Sequence, residues 1–201
     1  MSLYIALNLI VRNGQTGYSL NEIKDFRMTL RPVQIDQLFH EMIDAFSVCI
    51  LGIGTLVDPA NLENLKSFSF VPVESSFSPE HSNINVHHYV NRLADHELSA
   101  SLTQDTLQVL CQALSISAYE NLRASPHYAK IALNPVVQFL RHIRNASAHS
   151  NVFAFTRSQP DKAAIWRGKE ITKALNGSHC FFVFLSPGDL PLLLGDITRL
   201  L

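Results

Sequence analysis

The stretch Phe139-Leu140-Arg141-His142-Ile143-Arg144-Asn145-Ala146-Ser147-Ala148-His149 decides how this chain is read. Around it, residues 128–150 predict one long helix. At 100° per residue, Leu133, Val136, Val137, Leu140 and Ile143 share one face, the mark of an amphipathic helix. Arg144 falls at the edge of that face, while His142, Asn145 and His149 fall on the opposite side. The helix is thus expected to carry one arginine beside its apolar side and two imidazoles and an amide on its polar side. Pro135 is expected to kink it.

Upstream, two further helices are predicted. Residues 32–53 place Ile35, Leu38, Phe39, Met42, Ile43, Phe46, Cys49, Ile50 and Ile53 at helical spacing, with Pro32 at the first position and Gly52 and Gly54 at the end. Residues 103–123 place Leu107, Leu110, Cys111, Leu114, Ala118 and Leu122 on one face, with Thr103 as the N-cap and Ser125-Pro126 as the break. Between them, Asp58-Pro59 opens a short helix to residue 66. Residues 67–83 hold two prolines and six serines and read as a loop with an extended piece at 68–73. Asn85 is expected to cap a short helix. Near the N-terminus, residues 3–11 fit a strand or a helix equally, Asn13-Gly14 and Thr16-Gly17 mark turns, and Ser19-Leu-Asn-Glu22 has the form of a capping box.

Downstream the pattern changes. Residues 151–155 and the apolar run 180–185 read as strands, and residues 164–171 as two short extended pieces about a turn at Arg167-Gly168. Ser186-Pro-Gly-Asp189 opens a closing helix bearing Leu190, Leu194, Ile197 and Leu201. At 201 residues the chain is expected to form a single domain, 1–201, against a soft prior of ~150 residues per domain. Within it, 1–31 is an extension of unassigned structure and 151–185 a small β segment. The fold class expected is mainly α: an antiparallel helical bundle, a small β hairpin after the motif helix, and a closing C-terminal helix.

Composition narrows the function classes. The net charge is −1, so global charge names no partner. Locally, residues 33–120 hold 11 acidic against 2 basic side chains, a net of −9, whereas residues 141–173 hold 7 basic against 2 acidic, a net of +5. Such a basic zone attracts phosphates; a solvated face balanced by the acidic helices is the competing explanation. Three widely spaced cysteines, Cys49, Cys111 and Cys180, argue against a disulfide framework or a cysteine zinc site and fit a reducing cytosol. The apolar start lacks a basic n-region, and no window reaches the ~18 apolar residues of a membrane helix, so a cytoplasmic protein without a membrane partner is expected. G-x-G-x-x-G fails because position 57 is valine, and H-E-x-x-H fails at Ala100. No metal ligands and no cofactor are expected. The histidines His87 and His88 read as surface residues, and Trp166, Phe181 and Phe182 as anchors of the β segment rather than base-stacking platforms.

The chemistry therefore concentrates at the end of the motif helix. Arginine offers a permanent charge and a planar fork for phosphate oxygens. Histidine titrates near neutrality and serves as general acid or base. With Asn145 as a neutral donor, Arg144 and His149 suit the cleavage of an RNA phosphodiester without a metal ion. Residues five apart stand about 140° apart on an ideal helix. Either His149 lies past the helix end, or a second copy completes the site about a two-fold axis. Against this stand structural explanations: Arg144 pairing with an acid of an earlier helix, and His149 interacting with the helix dipole.

Arg144-Asn145-Ala-Ser-Ala-His149 resembles the R-x4–6-H motif of HEPN domains, including the polar residue after the arginine. The motif's place at the end of a long helix is similar too. Residues 164–171 and 188–201 resemble the tail of bacterial and plasmid-borne members. The resemblance covers residues 33–201, with the 67–83 loop unmatched. It implies a helical bundle that dimerises through the motif-bearing helices, and a metal-independent endoribonuclease of a toxin–antitoxin, abortive-infection or other defence system. Catalytic Arg144, Asn145 and His149 carry over from the motif. Arg141 and His142 lie outside it and are expected, from proximity alone, to help bind substrate. RNA or a nucleotide and a cognate antitoxin are the partners implied. The same family includes non-catalytic members that bind nucleotides or proteins, so a binding module is the alternative.

Overall fold

Phe39, Ile43, Phe46 and Ile50 stand four, three and four residues apart, and all four are buried. That spacing lays one apolar line along a helix, α1 (Gln37–Leu56). The computed structural model describes residues 37–65, 70–73, 82–156 and 158–201; the features expected at 1–36, with Pro32 and the capping box among them, lie outside the described residues. Gly52 and Gly54 do not end α1, which continues to Leu56. A helical glycine costs about 1 kcal/mol relative to alanine, too little to stop a helix whose last carbonyls find partners. Here Val57 N–H donates to Ile53 O at 3.1 Å and Asn61 Nδ2 to Thr55 O at 3.0 Å. The break comes instead at Asp58, whose Oδ1 accepts Ala60 N–H at 2.9 Å and opens α2 (Pro59–Leu65). Cys49, expected on the apolar face, is exposed, as are Val48 and Leu51. By length and composition Leu38–Leu56 is apolar enough to cross a membrane, yet its four-residue stripe is buried within the protein itself.

The described residues divide into two compact units, one made of those in 37–47 and 108–201 and the other of those in 48–107. In the latter, β1 (Phe70–Val73) pairs antiparallel with β2 (Ser82–Asn85), in register from Phe70 opposite Asn85 to Val73 opposite Ser82. Asn85 thus ends a strand, and α3 (Val86–Ala94) follows directly. Leu62 and Val90 form a small apolar cluster, with Leu65 and Leu93 packed against it.

α4 (His96–Ala124) begins seven residues before the expected N-cap; Thr103 lies inside it and is buried. The residues between contain neither glycine nor proline, so nothing local ends the helix sooner. Its line of Leu107, Cys111, Leu114, Ala118 and Leu122 is buried as the periodicity predicts. Next come α5 (Tyr128–Ile131) and α6 (Pro135–Ala148). Pro135 does not kink one long helix; it starts a new one, because Asn134 adopts an extended ψ of 133° and its side chain caps Val136 N–H at 2.9 Å.

After α6, residues 151–155 and 180–185 form no regular strands, only the isolated bridges Val152 to His179 and Phe181 to Leu185. Phe182 takes a left-handed φ of 70°, which breaks the extended run that its apolar neighbours would favour. The expected hairpin is present: β3 (Ile165–Trp166) pairs antiparallel with β4 (Lys169–Glu170) about a turn with Arg167 at φ 45° and Gly168 at φ 79°. α7 (Asp189–Thr198) closes the chain. α6 packs against β3 and α7, and Phe139 sits 5.8 Å from Trp166 and 5.9 Å from Phe184, ring centre to ring centre. Asp196 ties the hairpin to α7 by accepting from Trp166 Nε1 at 2.9 Å and Arg167 Nε at 2.7 Å. With seven helices and two small antiparallel strand pairs among the described residues, the chain is mainly α, with the hairpin and closing helix where they were expected.

Candidate active site at the end of the motif helix

A ladder of polar contacts sets α6 antiparallel to α4. Reading forward along α4, Gln108 Oε1 accepts from Asn151 Nδ2 at 3.0 Å, Gln112 Nε2 donates to Ser147 O at 3.0 Å, and the Ser115 and Ser147 hydroxyls meet at 2.7 Å. Glu120 then takes Arg144. The partners therefore run 151, 147, 147, 144 as α4 runs 108, 112, 115, 120. Apolar packing tolerates sliding; buried hydroxyls and amides need matched partners, so these rungs fix the register.

Arg144 donates from Nε at 3.0 Å and from Nη2 at 2.6 Å to one oxygen of Glu120, and from Nη1 to Asn145 Oδ1 at 3.4 Å. Its side chain keeps 32% of its exposure. The other Glu120 oxygen lies 3.8 Å from Arg123 Nη1. Two guanidinium groups thus share one carboxylate, and the cluster retains one net positive charge. His149 is the C-cap of α6, with φ −110° and ψ 49°; its N–H donates to Asn145 O and Ala146 O, each at 3.1 Å. Its residue is exposed, so the imidazole is available to an incoming group.

The other two predicted site residues go elsewhere. Arg141 donates to Gln138 Oε1 at 3.0 Å and stands 3.7 Å from Asp161, with 28% of its side chain exposed. His142, expected on the polar side, lies on the buried side at 1% exposure, its ring 5.6 Å from Phe155 in an edge-on contact and its Nε2 without a hydrogen-bond partner. Burial first, and the adjacent Arg141 charge second, push its protonation below the usual imidazole range, while Asp161 opposes them. Phe139, His142, Ala146 and Ser147 are buried together with Val137, Leu140 and Ile143, whereas Leu133 is 69% exposed. The true buried face is therefore wider than the aliphatic residues alone define, and turned from them.

Sequence reasoning anticipated an acidic partner for Arg144 without naming Glu120, and missed Arg123 and Asn151. Glu120 and Arg123 are three residues apart on α4, a spacing that puts them on one face; that was the available signal. Cys111 and Cys180 are buried free thiols. Desolvation pushes Cys111 up to about 12 and raises Cys180 as well, which makes both poor nucleophiles. Among the described residues no three His, Cys, Asp or Glu side chains gather as metal ligands. No family model, curated protein or solved structure matches the chain.

Proposed function

We propose that this chain is a metal-independent endoribonuclease of the HEPN kind, acting as a homodimer in a toxin or defence setting, with a cognate antitoxin as its natural counterpart. The reading rests on one arrangement along α6: an exposed imidazole at its C-cap, five residues in sequence from a partly exposed guanidinium oriented by Glu120 and Asn145. His149 takes the proton of a ribose 2′-hydroxyl. The 2′-oxygen attacks phosphorus and the bond to the 5′-oxygen breaks, leaving a 2′,3′-cyclic phosphate and a 5′-hydroxyl. The same imidazole, now protonated, returns that proton to the leaving 5′-oxygen. Arg144 holds the non-bridging oxygens and offsets the charge that grows there.

The test is RNA cleavage in EDTA by wild type, Arg144→Ala and His149→Ala. Each substitution is expected to lower the rate on the order of a hundredfold, with cyclic-phosphate ends on the wild-type products and the circular-dichroism spectrum unchanged for His149→Ala. Full activity of His149→Ala removes the reading. A second reading is favoured by the Arg144–Glu120 pair itself: the motif braces α6 against α4 in a non-catalytic binding module. On that reading Arg144→Ala and Glu120→Ala each lose about 1 kcal/mol of stability, and no variant changes RNA turnover because there is none.

A further inference from the structure

The chain leaves α6 through two consecutive left-handed residues, Ser150 at φ 56° and Asn151 at φ 67°. Asparagine tolerates this region better than most residues with a side chain. Conformation alone does not explain Asn151, which is also 1% exposed and makes four hydrogen bonds. Its Oδ1 accepts Phe181 N–H at 2.7 Å, its Nδ2 donates to Phe181 O at 3.1 Å and to Gln108 Oε1 at 3.0 Å, and its own carbonyl accepts Cys180 N–H at 2.8 Å. The amide pairs with both backbone groups of Phe181, as a neighbouring strand would, and also reaches α4.

Two residues back, His149 is held on both sides through its backbone. Its N–H bonds to the last turn of α6, and its carbonyl accepts Val152 N–H at 3.1 Å across the left-handed pair. Among the described residues no hydrogen bond or ion pair involves its ring, so the backbone of this turn is what sets where the side chain starts from. We infer that Asn151 is a positioning residue for His149: the Phe181–Asn151–Gln108 clamp fixes the turn at 149–152 and so aims an otherwise untethered imidazole. The inference rests on the nuclease reading above. It adds a residue that touches no substrate and works through His149.

Asn151→Gly tests it, since glycine keeps the left-handed backbone without strain and deletes only the amide. Asn134→Ala, which removes the cap at the far end of α6, is the control for lost stability. At a temperature where all variants are folded, Asn151→Gly is expected to lose about tenfold or more in kcat with KM little changed, while Asn134→Ala keeps both. The His149 ring signals in the NMR spectrum should shift in Asn151→Gly, as the backbone that carries the ring is released, and stay put in Asn134→Ala. Wild-type kcat and unmoved ring signals in Asn151→Gly overturn the inference. Should that variant not fold, Gln108→Leu removes a single bond of the clamp: a several-fold fall in kcat supports the inference, and an unchanged kcat overturns it. If wild type cleaves no RNA, the nuclease reading falls and takes this inference with it. If wild type is active, His149→Ala is dead and Asn151→Gly is fully active, the positioning role alone falls.

Discussion

Arg144 commits Nε and Nη2 to one oxygen of Glu120 and leaves Nη1 with only a 3.4 Å bond to Asn145. Arg123, 64% exposed on the other side of the same carboxylate, supplies the charge that Glu120 does not cancel. If RNA binds here, Arg123→Ala should weaken binding about equally for all sequences. The slope of log K against log salt should fall by roughly 1, as expected when one phosphate contact is lost. Fluorescence anisotropy of a labelled RNA across a salt series measures it; an unchanged slope means that Arg123 makes no phosphate contact. His142 supports a different kind of prediction. Folding holds its pKa below 6.5, so the unfolded chain binds the proton first as pH falls. Stability is therefore fully present above about 6.5 and is lost as pH falls from there toward the lower folded value. His142→Leu removes that dependence and also the unpartnered Nε2. It should raise stability by about 1 kcal/mol at pH 7, with the gap over wild type widening toward pH 5.5. Denaturant midpoints at several pH values read this, and a gap that narrows on acidification contradicts the assignment. The environment of His142 was not legible in the sequence. The helical wheel put His142 on the polar side because it counts polarity, whereas Phe155, thirteen positions away, decides its burial.

The helices show what local signals can and cannot specify. The buried lines of α1 and α4 follow from spacing alone, since a 3.6-residue period leaves one face for apolar side chains whatever they meet. The start of α6 was written in the sequence as well: Asn134-Pro135 is an N-cap followed by a first-position proline. Reading Pro135 as a kink missed it because the apolar pattern was followed across the break. Asn134→Ala should therefore destabilise by about 1 kcal/mol, the usual worth of a cap, whereas a kinked continuous helix would show almost no effect. Urea denaturation of the pair decides between them. Residues 180–185 were misread for the opposite reason. Cys180-Phe-Phe-Val-Phe-Leu185 has strand composition, but a strand needs a neighbour for its backbone. Here the Asn151 side chain takes both groups of Phe181, while Phe182 N–H and Leu185 N–H turn back to Leu185 O and Cys180 O, each at 2.8 Å. Composition reports what a backbone prefers and is silent on which partner reaches it first.

For the whole molecule, the nuclease proposal turns on how Arg144 and His149 would be assembled into one catalytic set. Glu120 of α4 draws the arginine to itself, while the histidine stands beyond the last helical residue at the exposed C-cap. On an ideal helix the two positions diverge by about 140°, so the pair comes together most simply when a second copy presents its histidine to this chain's arginine across a two-fold axis. Mixing tests this directly. Arg144→Ala and His149→Ala proteins, each inactive alone, are unfolded together, refolded and assayed. Random pairing makes half of the dimers mixed, and each mixed dimer holds one site with both wild-type residues, so roughly a quarter of wild-type activity should return. Sites built within a single chain give none, because every chain then carries a defect. Recovery that scales with the mixed fraction, followed by tagging one variant and separating the mixed species, would show that the catalytic unit is the pair. A flat result at every ratio, with each variant folded, would place both residues' work within one chain and leave the second copy no part in the chemistry.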